Sequence, residues 1–242
     1  MSRGSRSRKA FAKKPSATDS APKIRATAAM TVTRVTRSLP RTARATVLFA
    51  DLRGYTGLAE RLPPAQIVPL LEEFFSVLSS ATAAQHGKVY HMAGDAMMAG
   101  FGLEPAADGD AGARAALTAG HRMLEIFGAV AARWRHELGV EAGIGIGLHQ
   151  GEVALGTLGP PGRKHTTLVG DTVNVAARLC GRARAGEVLL SCTVAEAIGG
   201  EAGIALLDAR LMPFLQLPRF ELRGRSEPLD IWCVPAVERV SV

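Results

Sequence analysis

Residues 46–56, TVLFADLRGYT, carry a short continuous apolar run into Asp51 and then break at Arg53-Gly54-Tyr55-Thr56. A run of this kind predicts a strand over Thr46–Ala50, buried on both faces. Asp51 then stands at the end of a buried strand, a place where a carboxylate needs a reason. A second stretch, HMAGDAMMAGF at 91–101, repeats the arrangement, with Asp95 following an apolar run and a glycine. Strand-like runs at Lys88–Met92 and Ala96–Phe101 flank Gly94-Asp95, a dipeptide suited to a two-residue hairpin turn with glycine first.

Outward from these stretches the periodicity changes to that of helices. Ile67, Leu70, Leu71, Phe74, Phe75 and Leu78 line one face of an amphipathic helix from Pro64 to Gln85, closed by Gly87. A second helix over Asp110–Leu138 buries Leu117, Gly120, Met123, Leu124, Phe127, Val130, Ala131, Trp134 and Leu138. Gly143–His149, GIGIGLH, alternates glycine with Ile or Leu, a strand that lets another element approach closely. Thr166–Val169 predicts a strand, and Asp171–Arg184 a helix with Val173, Ala176, Ala177 and Cys180 facing inward. Strands at Glu187–Leu190, Arg219–Leu222 and Leu229–Val234 follow, while residues 199–217 show no clear pattern.

The resulting βαββαβ series predicts an α+β fold: a ferredoxin-like antiparallel sheet with both helices on one face, extended by C-terminal strands. In that topology the first and third strands are central neighbours running in opposite directions. The end of the first, Asp51, then lies beside the start of the third, Asp95.

Two carboxylates brought together raise one pKa unless a cation neutralises them. Mg²⁺ or Mn²⁺ suits the task, because hard divalent ions take one or two protein carboxylates and complete their shells with phosphate oxygens. That is the geometry of phosphoryl or nucleotidyl transfer. The turn Leu52, Arg53, Gly54, Tyr55, Thr56 leads toward a helix start, whose backbone N–H groups can cradle phosphates. A lone aspartate in either position serves equally well as a turn or helix-capping residue, so the pairing is what favours a metal. Asp108 and Asp110 in ADGDAG lack the rest of a calcium-loop pattern and read as a helix cap.

The net charge of +7 is unevenly placed. Residues 1–45 hold 12 Lys/Arg against one acid, Asp19, whereas the other 197 residues hold 17 against 21. The basic character therefore belongs to residues 1–43, a Ser-, Ala- and Arg-rich segment expected to be disordered. Residues 44–236 form the expected domain and 237–242 a short tail. Three scattered cysteines argue against a disulfide framework and a zinc site. With 5% aromatic residues, an acidic domain and no RNA-binding aromatic motif, specific nucleic-acid recognition is disfavoured. No P-loop pattern occurs. No run approaches the roughly 18 apolar residues of a membrane span, and a cytoplasmic protein is expected, although an Arg/Ser-rich, acid-poor start also resembles an organelle transit peptide.

FADLRGYT (49–56), AGDAMMAGF (93–101), GIGIGLHQGEVALGTLG (143–159), TLVGDTVNVAARL (167–179) and ELRGRSEPLDIW (221–232) together resemble the catalytic domain of class III adenylate/guanylate cyclases, in order and over 44–236. The resemblance implies a head-to-tail homodimer with active sites at the interface, converting a nucleoside triphosphate, ATP favoured, into its 3′,5′-cyclic monophosphate and pyrophosphate. It implies that Asp51 and Asp95 hold two Mg²⁺ or Mn²⁺ ions and that the partner chain supplies Asn174 to orient the ribose and Arg178 to neutralise the α-phosphate. Residues 174 and 178 share a helix face by spacing alone. Either Arg223 or Arg225 occupies the region of the basic residue that reaches the terminal phosphates. The base-reading pair is implied to be His91 and Thr167, with His91 where adenylate cyclases commonly carry Lys; an imidazole donates from one nitrogen and titrates near neutrality. Two alternatives stay open: a cyclase with relaxed ATP/GTP preference, and a catalytically weak nucleotide-binding regulatory module.

Overall fold

The structure is a computed structural model and describes residues 40–104, 109–160, 162–207, 213–221 and 227–235. Among the described residues, eight strands and six helices follow in chain order as β1 (Arg41–Arg53), α1 (Tyr55–Arg61), α2 (Pro64–Ala84), β2 (Lys88–Ala93), β3 (Ala96–Phe101), α3 (Gly109–Leu138), β4 (Gly143–Leu158), β5 (His165–Val169), α4 (Asp171–Arg182), β6 (Glu187–Ser191), α5 (Cys192–Ala197), α6 (Gly200–Leu207), β7 (Leu215–Phe220) and β8 (Leu229–Pro235). They build one sheet in the order β2-β3-β1-β4-β6-β8-β7, with β5 paired to β4 off that path. The pairs β2–β3, β3–β1 and β1–β4 are antiparallel. β4 and β6 are parallel, joined through α4.

The alternation of β1 divides the molecule. Leu48, Ala50 and Leu52 enter the main core with Phe74 and Leu78 of α2, Leu117, Met123 and Phe127 of α3, and Ile144, Ile146 and Leu148 of β4. Each such side chain taken from water contributes about 1.5–3 kcal/mol. Ala45 and Val47 point the other way, into a smaller cluster with Met98, Val153, Leu168 and Ala176 of α4. The next odd positions, Phe49, Asp51 and Arg53, continue on the α4 side, where Arg53 bonds the α4 backbone. The alternating glycines of β4 serve this face: a Cβ on Gly147 would collide with the backbone of Ala176 and Cys180.

Several expectations need correction. β1 begins at Arg41 rather than Thr46, because its first residues, themselves largely polar, pair with the outer part of β4, Arg41 opposite Leu155 and Ala45 opposite Gly151. No apolar run marks that half. Three residues of the segment 1–43 are therefore strand; 1–39 lie outside the described residues. α4 buries Thr172, Val175, Ala176, Leu179 and Cys180, while Val173 and Ala177 are only partly covered. The larger Val175 and Leu179 pack against β6 and β8 and turn the stripe away from the expected one. β7 lies at Leu215–Phe220, starting four residues before the predicted strand and sharing 219–220 with it; α6 occupies part of the stretch 199–217 without clear pattern, and α5 follows β6 where no helix was expected. Finally, α2 is, by length and composition, long and apolar enough to cross a membrane, contrary to the sequence expectation. Here Ile67, Phe74, Leu78 and Ala81 of α2 pack into the main core instead.

Candidate active site

Asp51 lies opposite Ala96 of β3 on one side and Gly145 of β4 on the other. Asp95 occupies the two-residue β2–β3 turn, closed by the Ala93–Ala96 pair. Gly94 takes the left-handed φ of 60° that such a turn needs, sparing Asp95 that conformation. The Leu52 N–H donates to the Asp95 carbonyl at 3.0 Å, tying the turn to the residue after Asp51. Strand pairing and this bond bring the two acidic positions together.

The electrostatics agree. Burial raises the Asp51 carboxyl above the ordinary aspartate range; the Arg53 guanidinium opposes this, and the charge of Asp95 adds to it. Asp51 thus feels Asp95 directly, and a cation beside it is favourable. In the chain itself that cation is Arg53, ion-paired to Asp51 Oδ2. Among the described residues no three His, Cys, Asp or Glu side chains gather into a metal-binding group. Two half-buried carboxylates fit a hard divalent ion that takes its remaining ligands from water and phosphate. Asp51 and Asp95 would hold it.

The turn residues divide by role. Leu52 is buried in the main core and its N–H is committed to Asp95, so it offers a ligand no free donor. Gly54 caps α1 at φ 89°, with the Glu141 carbonyl where a Cβ would lie. Tyr55 packs partly against the core, and Thr56 is exposed. The first N–H groups of α1 precede its first turn's bond, which the Leu58 N–H makes to the Gly54 carbonyl at 3.0 Å.

Asn174 and Arg178 both lie on the exposed side of α4. His91 is exposed on β2, opposite Met98, beside an irregularity between Val89 and His91. Thr167 is half-buried on β5, opposite Gly156. Their neighbours Tyr90 and Leu168 share one apolar cluster, so β2 and β5 approach each other there. Arg223 and Arg225 lie outside the described residues. What the sequence did not announce is the second half of Arg53: its Nε donates to the Ala183 carbonyl at 3.0 Å and Nη2 donates to the Cys180 carbonyl. The glycine alternation of β4, which leaves room beside Arg53, was the available signal.

The family model of the adenylate and guanylate cyclase catalytic domain matches residues 38–226. The chain belongs to that family. It is 32% identical to the adenylate cyclase of Anabaena cylindrica over 148 residues, 58% of this chain and 27% of that protein. It is 28% identical to adenylate cyclase 1 of Rhizobium meliloti over 197 residues, 80% of this chain and 28% of that protein. The chain thus spans about a quarter of the length of these relatives. Among solved structures, the adenylyl cyclase CyaB from P. aeruginosa superposes with a TM-score of 0.71 at 27% identity, covering 84% of this chain and all of that one. The guanylyl cyclase Cya2 superposes at 0.69 and 26% identity, covering 84% and 98%.

Proposed function

We propose that this chain is a nucleotidyl cyclase that converts ATP into 3′,5′-cyclic AMP and pyrophosphate as a head-to-tail homodimer, with β1–β4 as its ferredoxin-like core. The observation that carries the proposal is the Asp51–Asp95 pair, raised carboxyl included, beside the α1 turn. Two Mg²⁺ or Mn²⁺ ions bound there would activate the ribose 3′-hydroxyl and neutralise the triphosphate. Asp51 and Asp95 hold the phosphate end of the nucleotide in register with the Gly54 turn, where backbone N–H groups meet phosphate oxygens. Asn174 of the partner subunit orients the ribose. Arg178 of the partner subunit stabilises the charge that grows on the α-phosphate, with Arg223 or Arg225 on the terminal phosphates. His91 and Thr167 read the purine edge. The protein is proposed to be cytoplasmic, to bind no specific nucleic acid and to require no membrane span.

The test is incubation of purified protein with ATP or GTP and Mn²⁺, with chromatographic detection of cyclic product. ATP turnover exceeding GTP turnover is expected. Product from neither nucleotide in a verified dimer would replace the proposal with a nucleotide-binding regulatory module. His91 supports a second version, a cyclase of relaxed preference, because a neutral imidazole donates once where an ammonium donates with fixed charge. His91→Lys should therefore raise the ATP/GTP ratio of kcat/KM by about tenfold, a bonded purine edge being worth on the order of 1–2 kcal/mol. An unchanged ratio removes His91 from the pocket.

A further inference from the structure

Arg53 makes contacts that a phosphate-binding turn does not require. Its guanidinium meets Asp51 on its own strand and the carbonyls of Cys180 and Ala183 at the C-terminal end of α4. Those carbonyls belong to the last turn of α4 and its C-cap, where the backbone carries partial negative charge; the Cys180 carbonyl accepts there from the Ala183 N–H at 3.0 Å as well as from Arg53. The space for this arrangement is built in. A Cβ on Gly145, the cross-strand partner of Asp51, would lie 2.6 Å from Arg53 Nε and Nη2 and 2.9 Å from the Ala183 carbonyl oxygen. Cys180 Sγ donates to the Gly145 carbonyl at 3.3 Å, joining the same turn of α4 to the same point on β4.

We propose that Arg53 is a positioning residue with two duties: it is the resident counter-cation of Asp51 until a divalent ion arrives, and it fixes the end of the helix that carries Asn174 and Arg178. The inference rests on the cyclase proposal above and deepens it. The guanidinium competes with the metal for Asp51, so metal-free protein keeps its acidic pair compensated. Its planar fork reaches a carboxylate and two carbonyls at once, which a lysine ammonium on a flexible stem does not reproduce. In the homodimer, that helix serves the neighbouring site.

The two duties separate experimentally. Mn²⁺ affinity is measured by electron paramagnetic resonance on the full-length dimer without nucleotide, and kcat is measured at saturating Mn²⁺ and ATP. Arg53→Gln should bind Mn²⁺ about fivefold more tightly, since a part-exposed ion pair is lost, while kcat falls about tenfold or more because α4 is no longer held. Arg53→Lys should keep wild-type Mn²⁺ affinity yet lose turnover. Gly145→Ala, which keeps the charge but fills the space of the guanidinium, should reduce kcat in the same way. A purely structural role would lower thermal stability in every variant without tightening metal binding. Mn²⁺ binding no tighter in Arg53→Gln, or wild-type kcat in Arg53→Lys, overturns the inference. Equal Mn²⁺ binding by wild type and Asp51→Asn would instead sink the metal site, and the inference with it.

Discussion

The two faces of the sheet are built from different materials. On the α2/α3 face, large side chains interlock: the rings of Phe74 and Phe127 meet edge-on at 5.5 Å, and those of Phe127 and Trp134 at 5.2 Å. Trp134 is fully buried and still donates Nε1 to Glu73 at 3.0 Å. On the α4 face, β4 offers glycine where it offers Ile or Leu to the first face, and one helix lies close to the strand backbone. Polar contacts to backbone take the place of ring packing, through Arg53 and Cys180. The difference teaches that bulk holds the fold on one side, while on the other small residues admit a helix against the strand backbone, with Asn174 and Arg178 on its exposed side.

Three substitutions sharpen or break this division, the largest effect first. Phe127→Ala removes the ring at the centre of the aromatic row and should cost about 3–5 kcal/mol of unfolding free energy, read from denaturant midpoints. A cost near that of a surface change would mean that the packed face does not carry the stability. In its proposed role Arg178→Ala should lower kcat by about a hundredfold, as loss of one transition-state donor does, while its cost in unfolding free energy stays well below that of Phe127→Ala. Equal damage to both readouts would erase the contrast between faces. Glu73→Gln should have the smallest effect, visible only in acid. Burial pushes the Glu73 carboxyl up, but hydrogen bonds from Arg133 and Trp134 outweigh it and hold the pKa below the ordinary glutamate value. Its contribution is therefore present above that ordinary value and is lost as pH falls through the lower native one. The mutant's stability should decline less steeply across that window, by a modest amount because the pair is well solvated. An identical acid limb would show that the pair is silent.

Much of the fold and part of the site were legible in the sequence for identifiable reasons. The α2 and α3 stripes announce themselves because each helix has one buried face, so helical periodicity maps onto burial. The proximity of Asp51 and Asp95 followed from strand order and a two-residue turn rather than from either residue alone. α4 was harder to orient because it contacts two apolar clusters, one holding Ala176 and the other Val175 and Leu179, and its burial is broader than one stripe. The outer half of β1 was hidden by its polar side chains, which are held to β4 by the backbone ladder and by Arg44 donating Nη2 to Gln150 Oε1 at 2.8 Å, not by an apolar run. The glycine alternation of β4 signalled a close approach but not that Arg53 would fill the space, because its partners there are carbonyl oxygens that every residue possesses. Only the folded packing of α4 on β4 decides which two stand within reach.

The turn that holds Asp95 has a further consequence for how this chain tolerates change in length. With only Gly94 and Asp95 between paired strands, one inserted residue has no slack to absorb it and would slip β3 by one step or bulge it beside the acidic pair. A slip would exchange the sheet faces of Met97 and Met98, which are buried in the main core and in the smaller α4-side cluster respectively. Indels at this hairpin should therefore be selected against far more strongly than point changes, and a library that varies loop length would find its viable members elsewhere.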